Sequence, residues 1–143
     1  MTHTLTIDTE VTTSNKGNPF DITNKFVCLS YKRQDYYSQC NFLEDLPKRQ
    51  YLFLPLSQYD VVIMFNAKFD LHWLKSIGVD LSDITIWDCQ LAEYMLERQQ
   101  VTYPSLENTA VKYGLGHKLD IIKTEYWDKG IDTDKIPRDI LAE

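Results

Sequence analysis

The sequence predicts an α/β fold, a mixed sheet flanked by helices. Two observations carry this. The first third holds three strand-like stretches separated by turns, the pattern of antiparallel neighbours. From Asp60 onward, short apolar stretches alternate with segments of helical periodicity, the pattern of parallel strands joined through helices. The hinge is Val61-Val62-Ile63-Met64-Phe65, five apolar residues in a row, followed by Leu71, Leu74 and Ile77 at helical spacing. A strand that feeds straight into a helix puts the first helical turn at the carboxyl end of the sheet, where open α/β sheets bind ligands.

Taken in order, Leu5–Glu10 alternates apolar and polar residues and reads as the first strand. Residues 12–20, with Ser14, Asn15, Gly17, Asn18 and Pro19, form a loop. Phe26–Tyr31 is a second strand, and Tyr36–Phe42 a third, antiparallel to it. Leu43–Tyr59 is mixed: Leu52, Leu54 and Leu56 suit a strand, Pro47 and Pro55 interrupt it, and part is expected to be helix. The central strand and its helix run to about Ile77, with Gly78 as the stop. Ile84–Trp87 is a short strand. Asp88–Arg98 is a helix with Asp88 as N-cap and Leu91, Tyr94 and Met95 on one face. Leu106–Tyr113 and Ile121–Trp127 are further helices, and Pro137 opens a last one.

At 143 residues the chain makes one domain, 1–143, with enough apolar sequence for a core. No apolar run reaches transmembrane length, Met1-Thr2-His3-Thr4 does not read as a signal peptide, and no membrane partner is expected. Cys28, Cys40 and Cys89 are odd in number, widely spaced and without a CxxC, which points to reduced thiols in a cytoplasmic protein rather than a zinc site. The net charge of −6 excludes a protein that coats duplex DNA by bulk electrostatics. It leaves room for one that meets nucleic acid through bound cations.

Asp8 and Glu10 lie two apart on a strand, so both carboxylates leave the same face. Side by side they repel, and a divalent cation between them is the usual resolution; oxygen ligands favour magnesium or manganese. Asp70, at the mouth of the central strand, is the candidate third carboxylate, about 10 Å of backbone away across neighbouring strands. Asn66 reads equally as a helix N-cap and as a site residue. Asp88 reads as a cap, His72 and His117 as surface or packing residues. Phe65, Trp73, Trp87 and Tyr94 read as packing residues of which one could stack on a base, and Lys68 as a phosphate contact or a charge balance for Asp70.

At these positions the sequence resembles the DEDD-type (DnaQ-like) 3′–5′ exonucleases, closest to the proofreading domain of family A DNA polymerases, phage ones in particular. Ile7-Asp8-Thr9-Glu10-Val11-Thr12 is similar to their first motif, Asp-x-Glu-x-Thr, and Phe65-Asn66-Ala67-Lys68-Phe69-Asp70 to their second, Asn-x-x-x-Phe-Asp. Residues 87–94, 105–107, 116–118 and 136–143 resemble the segments that follow. The resemblance implies a ribonuclease H-like fold and a hydrolase that removes nucleotides from DNA 3′ ends in replication proofreading, with two divalent cations, Mg2+ or Mn2+. Asp8 would bridge both cations, Glu10 would hold the one that activates water, and Asp70 would serve the second. The backbone at Val11 and Thr12 would touch the terminal nucleotide, with Asn66 and Lys68 helping to position the strand. The substrate implied is a single-stranded DNA 3′ end, and a DNA polymerase module the implied partner.

The family's third motif, Tyr-x-x-x-Asp or His-x-x-x-x-Asp, would begin just beyond Glu143. The domain is therefore expected to be truncated at its C-terminal helix, as a fragment or split part of a DNA polymerase, with little activity alone. The alternative is a catalytically inactive ribonuclease H-like module that binds nucleic acid or serves a structural role. A nuclease of Holliday-junction or ribonuclease H type is a third reading, disfavoured by the Asn-x-x-x-Phe-Asp turn.

Overall fold

A computed structural model of the chain describes residues 2–45, 56–100, 102–117 and 121–142. Five strands make one sheet: β1 (Thr4–Val11), β2 (Phe26–Arg33), β3 (Gln39–Phe42), β4 (Val61–Met64) and β5 (Ile86–Asp88), in the order β3-β2-β1-β4-β5. β1–β2 and β2–β3 pair antiparallel, β1–β4 and β4–β5 parallel. This is the mixed sheet expected from the sequence, with the topology of a ribonuclease H-like fold. Among the described residues five α-helices follow or interleave: α1 (Ala67–Ser76), α2 (Cys89–Leu96), α3 (Leu106–Lys112), α4 (Ile121–Glu125) and α5 (Arg138–Leu141).

β1 is central, and its alternation decides the layering. Leu5, Ile7, Thr9 and Val11 are buried on one face, while Asp8 and Glu10 leave the other, Asp8 exposed and Glu10 half-buried. α1 packs on the first face, where Leu5, Ile7, Val62, Met64 and Leu74 join one apolar cluster. Burying each such side chain contributes roughly 1.5–3 kcal/mol. Trp73, Val11 and Phe26 form a second cluster further along the same layer. The final segment lies on the opposite face: Glu10 pairs across the sheet with Cys28, Cys28 with Phe42, and the Arg138 guanidinium stands 4.8 Å from the Phe42 ring centroid. Arg138 also pairs with Glu44 at 2.9 Å and Asp45 at 2.7 Å, which ties α5 to the end of β3.

Most boundaries fall within a few residues of the sequence reading. β3 is shorter than expected because Tyr36–Ser38 stay in the loop. Leu43–Asp45 and Leu56–Gln58 are 3₁₀ turns, and the strand considered at Leu52 and Leu54 lies outside the described residues. Gly78 and Gly114 end their helices with φ of 86° and 71°, as a glycine stop requires.

α2 departs from the expectation. Leu91 and Met95 are about half exposed (49% and 56%), while Glu93 is buried at 5%. The reason is the partner that only the fold supplies. Lys112 on α3 reaches Glu93 at 2.5 Å and the Tyr113 hydroxyl donates to it at 2.9 Å, holding its carboxyl below the ordinary carboxylate range. Tyr94 packs on Tyr103 with ring centroids 4.8 Å apart.

Asp88 is the N-cap of α2, as expected, and its carboxylate also accepts from the N–H groups that open α1. Its Oδ1 accepts from the Gln90 N–H at 2.9 Å, the Leu91 N–H at 3.3 Å and the Asn66 N–H at 3.1 Å; its Oδ2 accepts from the Ala67 N–H at 3.0 Å. Asn66 occupies the cap position of α1 in a left-handed conformation (φ 63°, ψ 53°), but its own side chain makes no cap bond. Each cap contributes about 1 kcal/mol. Asp88→Ala should therefore lower the melting temperature by roughly 5–8 °C. Asp88→Asn keeps one acceptor oxygen and should lose about half as much in the same thermal melt.

Candidate nuclease site and nucleotide pocket

The candidate site forms where the β1–β4 ladder stops. β4 pairs with β1 only as far as Thr6 and Ile63, after which the chain turns into α1. Beyond that point the N–H of Thr9 lacks a ladder acceptor, and Asp70 supplies one. Asp70 sits in the first turn of α1, buried at 2%, and its Oδ1 accepts from the Thr9 N–H at 3.1 Å and the Thr9 hydroxyl at 2.6 Å. Asp8 and Glu10 flank Thr9 and leave the face opposite its side chain. Asp8 and Glu10 thus share one face of β1, and Asp70 meets the strand at its edge through Thr9.

Burial pushes the Asp70 carboxyl up to about 7; the Thr9 bonds oppose this and the negative charge of Asp8 adds to it. A raised folded-state pKa sets the sign of the pH dependence. Between about 4 and 7 the folded chain holds a proton on Asp70 that the unfolded chain has released, so stability falls as pH rises through that window. Asp70→Asn keeps an acceptor for Thr9 without the charge. The variant should melt higher than the parent at pH 8, and the difference should vanish near pH 4.

The donor set is all carboxylate oxygen, which suits a hard divalent cation. Among the described residues, however, no three His, Cys, Asp or Glu side chains are grouped so as to hold a metal ion. The expected three-carboxylate cluster is not assembled: Asp70 is held by Thr9, whose side chain leaves the face opposite to Asp8 and Glu10. All three cysteines are free thiols, Cys28 buried and Cys40 and Cys89 half-buried.

The other predicted residues divide. Val11 is buried and lines a pocket beside Glu10. Thr12 is buried and committed: its N–H donates to the Lys25 carbonyl at 3.0 Å, and its hydroxyl accepts from the Lys25 N–H at 2.7 Å and donates to Asn24 at 3.1 Å. Asn66 and Lys68 are exposed at the start of α1, on the site's α1 side. His72 packs edge-on against Phe20 with ring centroids 5.3 Å apart, and the exposed His117 pairs with Glu107 at 2.8 Å.

The sequence reading missed the pocket itself. About 280 Å³ in volume and largely apolar, it is lined by Glu10, Val11, Lys16, Gly17, Phe69 and Trp127 among others. Phe69 carried a signal, since it precedes Asp70 in the second motif. Trp127 carried none. It reaches the site because the Asp132 carboxylate accepts from the Thr13 N–H at 2.8 Å and the Thr13 hydroxyl at 2.9 Å, which docks the 127–135 loop against the end of β1. The Trp127 indole N–H then donates to the buried Thr133 hydroxyl at 3.2 Å.

One solved structure is informative. The fold is similar to the family B DNA polymerase from the hyperthermophilic archaeon Pyrobaculum calidifontis, with a TM-score of 0.58 and 17% sequence identity over 82% of this chain. At that identity the likeness shows the fold alone. The chain covers 19% of the polymerase chain. No protein-family profile and no curated protein matches the sequence. Among the described residues no helix is long and apolar enough to cross a membrane.

Gly17 closes the pocket floor. It has φ of 69°, and a Cβ there would stand 2.9 Å from Val11 Cγ2 and 3.2 Å from Phe69 Cζ. Gly17→Ala combines a left-handed alanine with overpacking and should cost about 2–4 kcal/mol in a denaturant melt.

Proposed function

We propose that this domain is a metal-dependent 3′–5′ exonuclease acting on single-stranded DNA 3′ ends, of the proofreading kind and working in the cytoplasm, beside or within a DNA polymerase. One observation supports the reading: the carboxylate pair Asp8 and Glu10 leaves one face of β1 and the buried Asp70 is bound to Thr9, between them in sequence, next to an apolar pocket lined by Glu10, Phe69 and Trp127. Carboxylates beside an apolar pocket with two aromatic residues in its lining match a phosphodiester joined to a base. The polymerase fold likeness agrees with nucleic-acid binding.

Asp8 and Glu10 would hold Mg2+ or Mn2+, with Asp70 contributing its remaining oxygen, partly through water. Such cations, when bound, lower the pKa of a water and neutralise charge on the phosphoryl group under attack. The chain's own residues do the positioning. Thr9 fixes Asp70, so the buried carboxylate keeps its place whether or not a cation is present. Phe69 and Trp127 would receive the terminal base, which base–aromatic contact stabilises by about 1–3 kcal/mol. Val11 would shape the pocket wall beside the sugar. Asn66 and Lys68 would meet the strand from the α1 side. The remaining carboxylate and the group that orients water would come from the family's third motif, which is not found among residues 1–143 in the expected order.

A second reading, a nucleic-acid-binding module that does not cleave, is favoured by the lack of a three-ligand metal group among the described residues. Two measurements separate them. Mg2+ or Mn2+ should raise the melting temperature by mass action, and Asp8→Ala should abolish the shift. The chain extended through the third motif should shorten 5′-labelled single-stranded DNA from its 3′ end, and Asp8→Ala should remove that activity. A metal-independent melt together with intact oligonucleotide would leave the binding module.

A further inference from the structure

The turn Asn15-Lys16-Gly17 is the most strained described segment next to the pocket. All three residues are left-handed, with φ of 46°, 58° and 69°. Glycine adopts that region freely and asparagine tolerates it, but lysine does not favour it. The turn is fastened from three sides. The buried Trp73 indole N–H donates to the Gly17 carbonyl at 3.0 Å. The Asn24 side-chain amide donates to the Ser14 carbonyl at 2.7 Å and the Asn18 carbonyl at 2.9 Å. The space at Gly17 is closed by Val11 and Phe69.

This anchoring fixes the Lys16 backbone on the pocket wall. Lys16 is exposed, and among the described residues it makes no ion pair or hydrogen bond. It is the basic residue lining a pocket that also contains Glu10. The chain as a whole carries a net charge of −6, so a phosphodiester approaching Asp8 and Glu10 meets a repulsive field. Strained residues persist where the surrounding structure over-determines them, and such places cluster at ligand clamps.

We propose that Lys16 is a phosphate contact for single-stranded DNA, held at the pocket rim by the left-handed turn so that it grips the strand beside the nucleotide whose base enters the pocket. This rests on the exonuclease reading and adds to it a binding residue outside both sequence motifs. Lysine serves as a point charge here, so its contribution is to strand affinity, independent of base identity.

The test is fluorescence anisotropy of 5′-labelled single-stranded oligonucleotides, ending 3′ in dT or dA, on the full chain with Ca2+ present, over a range of salt concentrations. Lys16→Gly is the informative variant, because glycine takes φ of 58° without strain. Its melting temperature should be equal to or above the parent's, while its affinity falls by about tenfold for both 3′ ends. The slope of log K against log salt should shrink by about 0.7, the value for one phosphate on a single strand. Lys16→Arg should keep affinity and slope. An affinity and slope unchanged in Lys16→Gly would overturn the assignment while leaving the exonuclease reading intact. A loss confined to one terminal base, with the slope unchanged, would overturn it in favour of a base-edge contact. A parent chain that binds neither oligonucleotide would overturn both.

Discussion

The Asp88 carboxylate holds the starts of two helices at once, and the geometry of the site follows from it. Asp88 ends β5 directly opposite Met64, the last residue of β4. Its two oxygens therefore face the N–H groups that open α1 as well as those that open α2. Both helix dipoles point their positive ends at one negative charge, which is the favourable arrangement. Because Asp88 does the capping, Asn66 is released from that task. It serves instead as the residue that tolerates the left-handed turn between strand and helix. The turn is tight, so Asp70 arrives one helical turn later, still beside β1.

From there a second interaction takes over. β4 is too short to pair with the last part of β1, and Asp70 fills the gap by accepting from both donors of Thr9. A side chain completes a backbone ladder, and its carboxyl is raised by burial as a result. The charge that makes Asp70 a candidate ligand is therefore one the fold disfavours at neutral pH, a common trait of functional carboxylates. The same bond keeps Asp70 at the edge of β1 instead of on the face that carries Asp8 and Glu10.

The pocket depends on long-range contacts of another kind. Thr13 and Asp132 join the end of β1 to the loop that carries Trp127. Trp73 and Asn24 hold the left-handed turn that carries Lys16 and Gly17. The 127–135 loop and the left-handed turn are each fixed by hydrogen bonds to other parts of the fold. An apolar pocket beside a carboxylate pair is the outcome.

The sequence alone determined the sheet. Alternation in β1, the apolar run of β4 and the helical spacing after it are local patterns, and they specified strand identity, the parallel or antiparallel sense and the carboxyl-end placement of Asp70. Asp8 and Glu10 sharing a face followed from strand geometry, and Asp88 as a cap from its place before a helix. Only the tertiary structure decided the rest. That Asp88 caps two helices depends on β5 lying beside β4. That Glu93 is buried while Leu91 and Met95 are exposed depends on Lys112 and Tyr113 arriving from α3. That Asp70 binds Thr9, and that Trp127 and Lys16 reach the same pocket as Glu10, depend on partners up to 119 residues away, as for Thr13 and Asp132. Local periodicity encodes which face a side chain takes. It does not encode what meets that face, because charge satisfaction and pocket closure are set by contacts between segments distant in sequence.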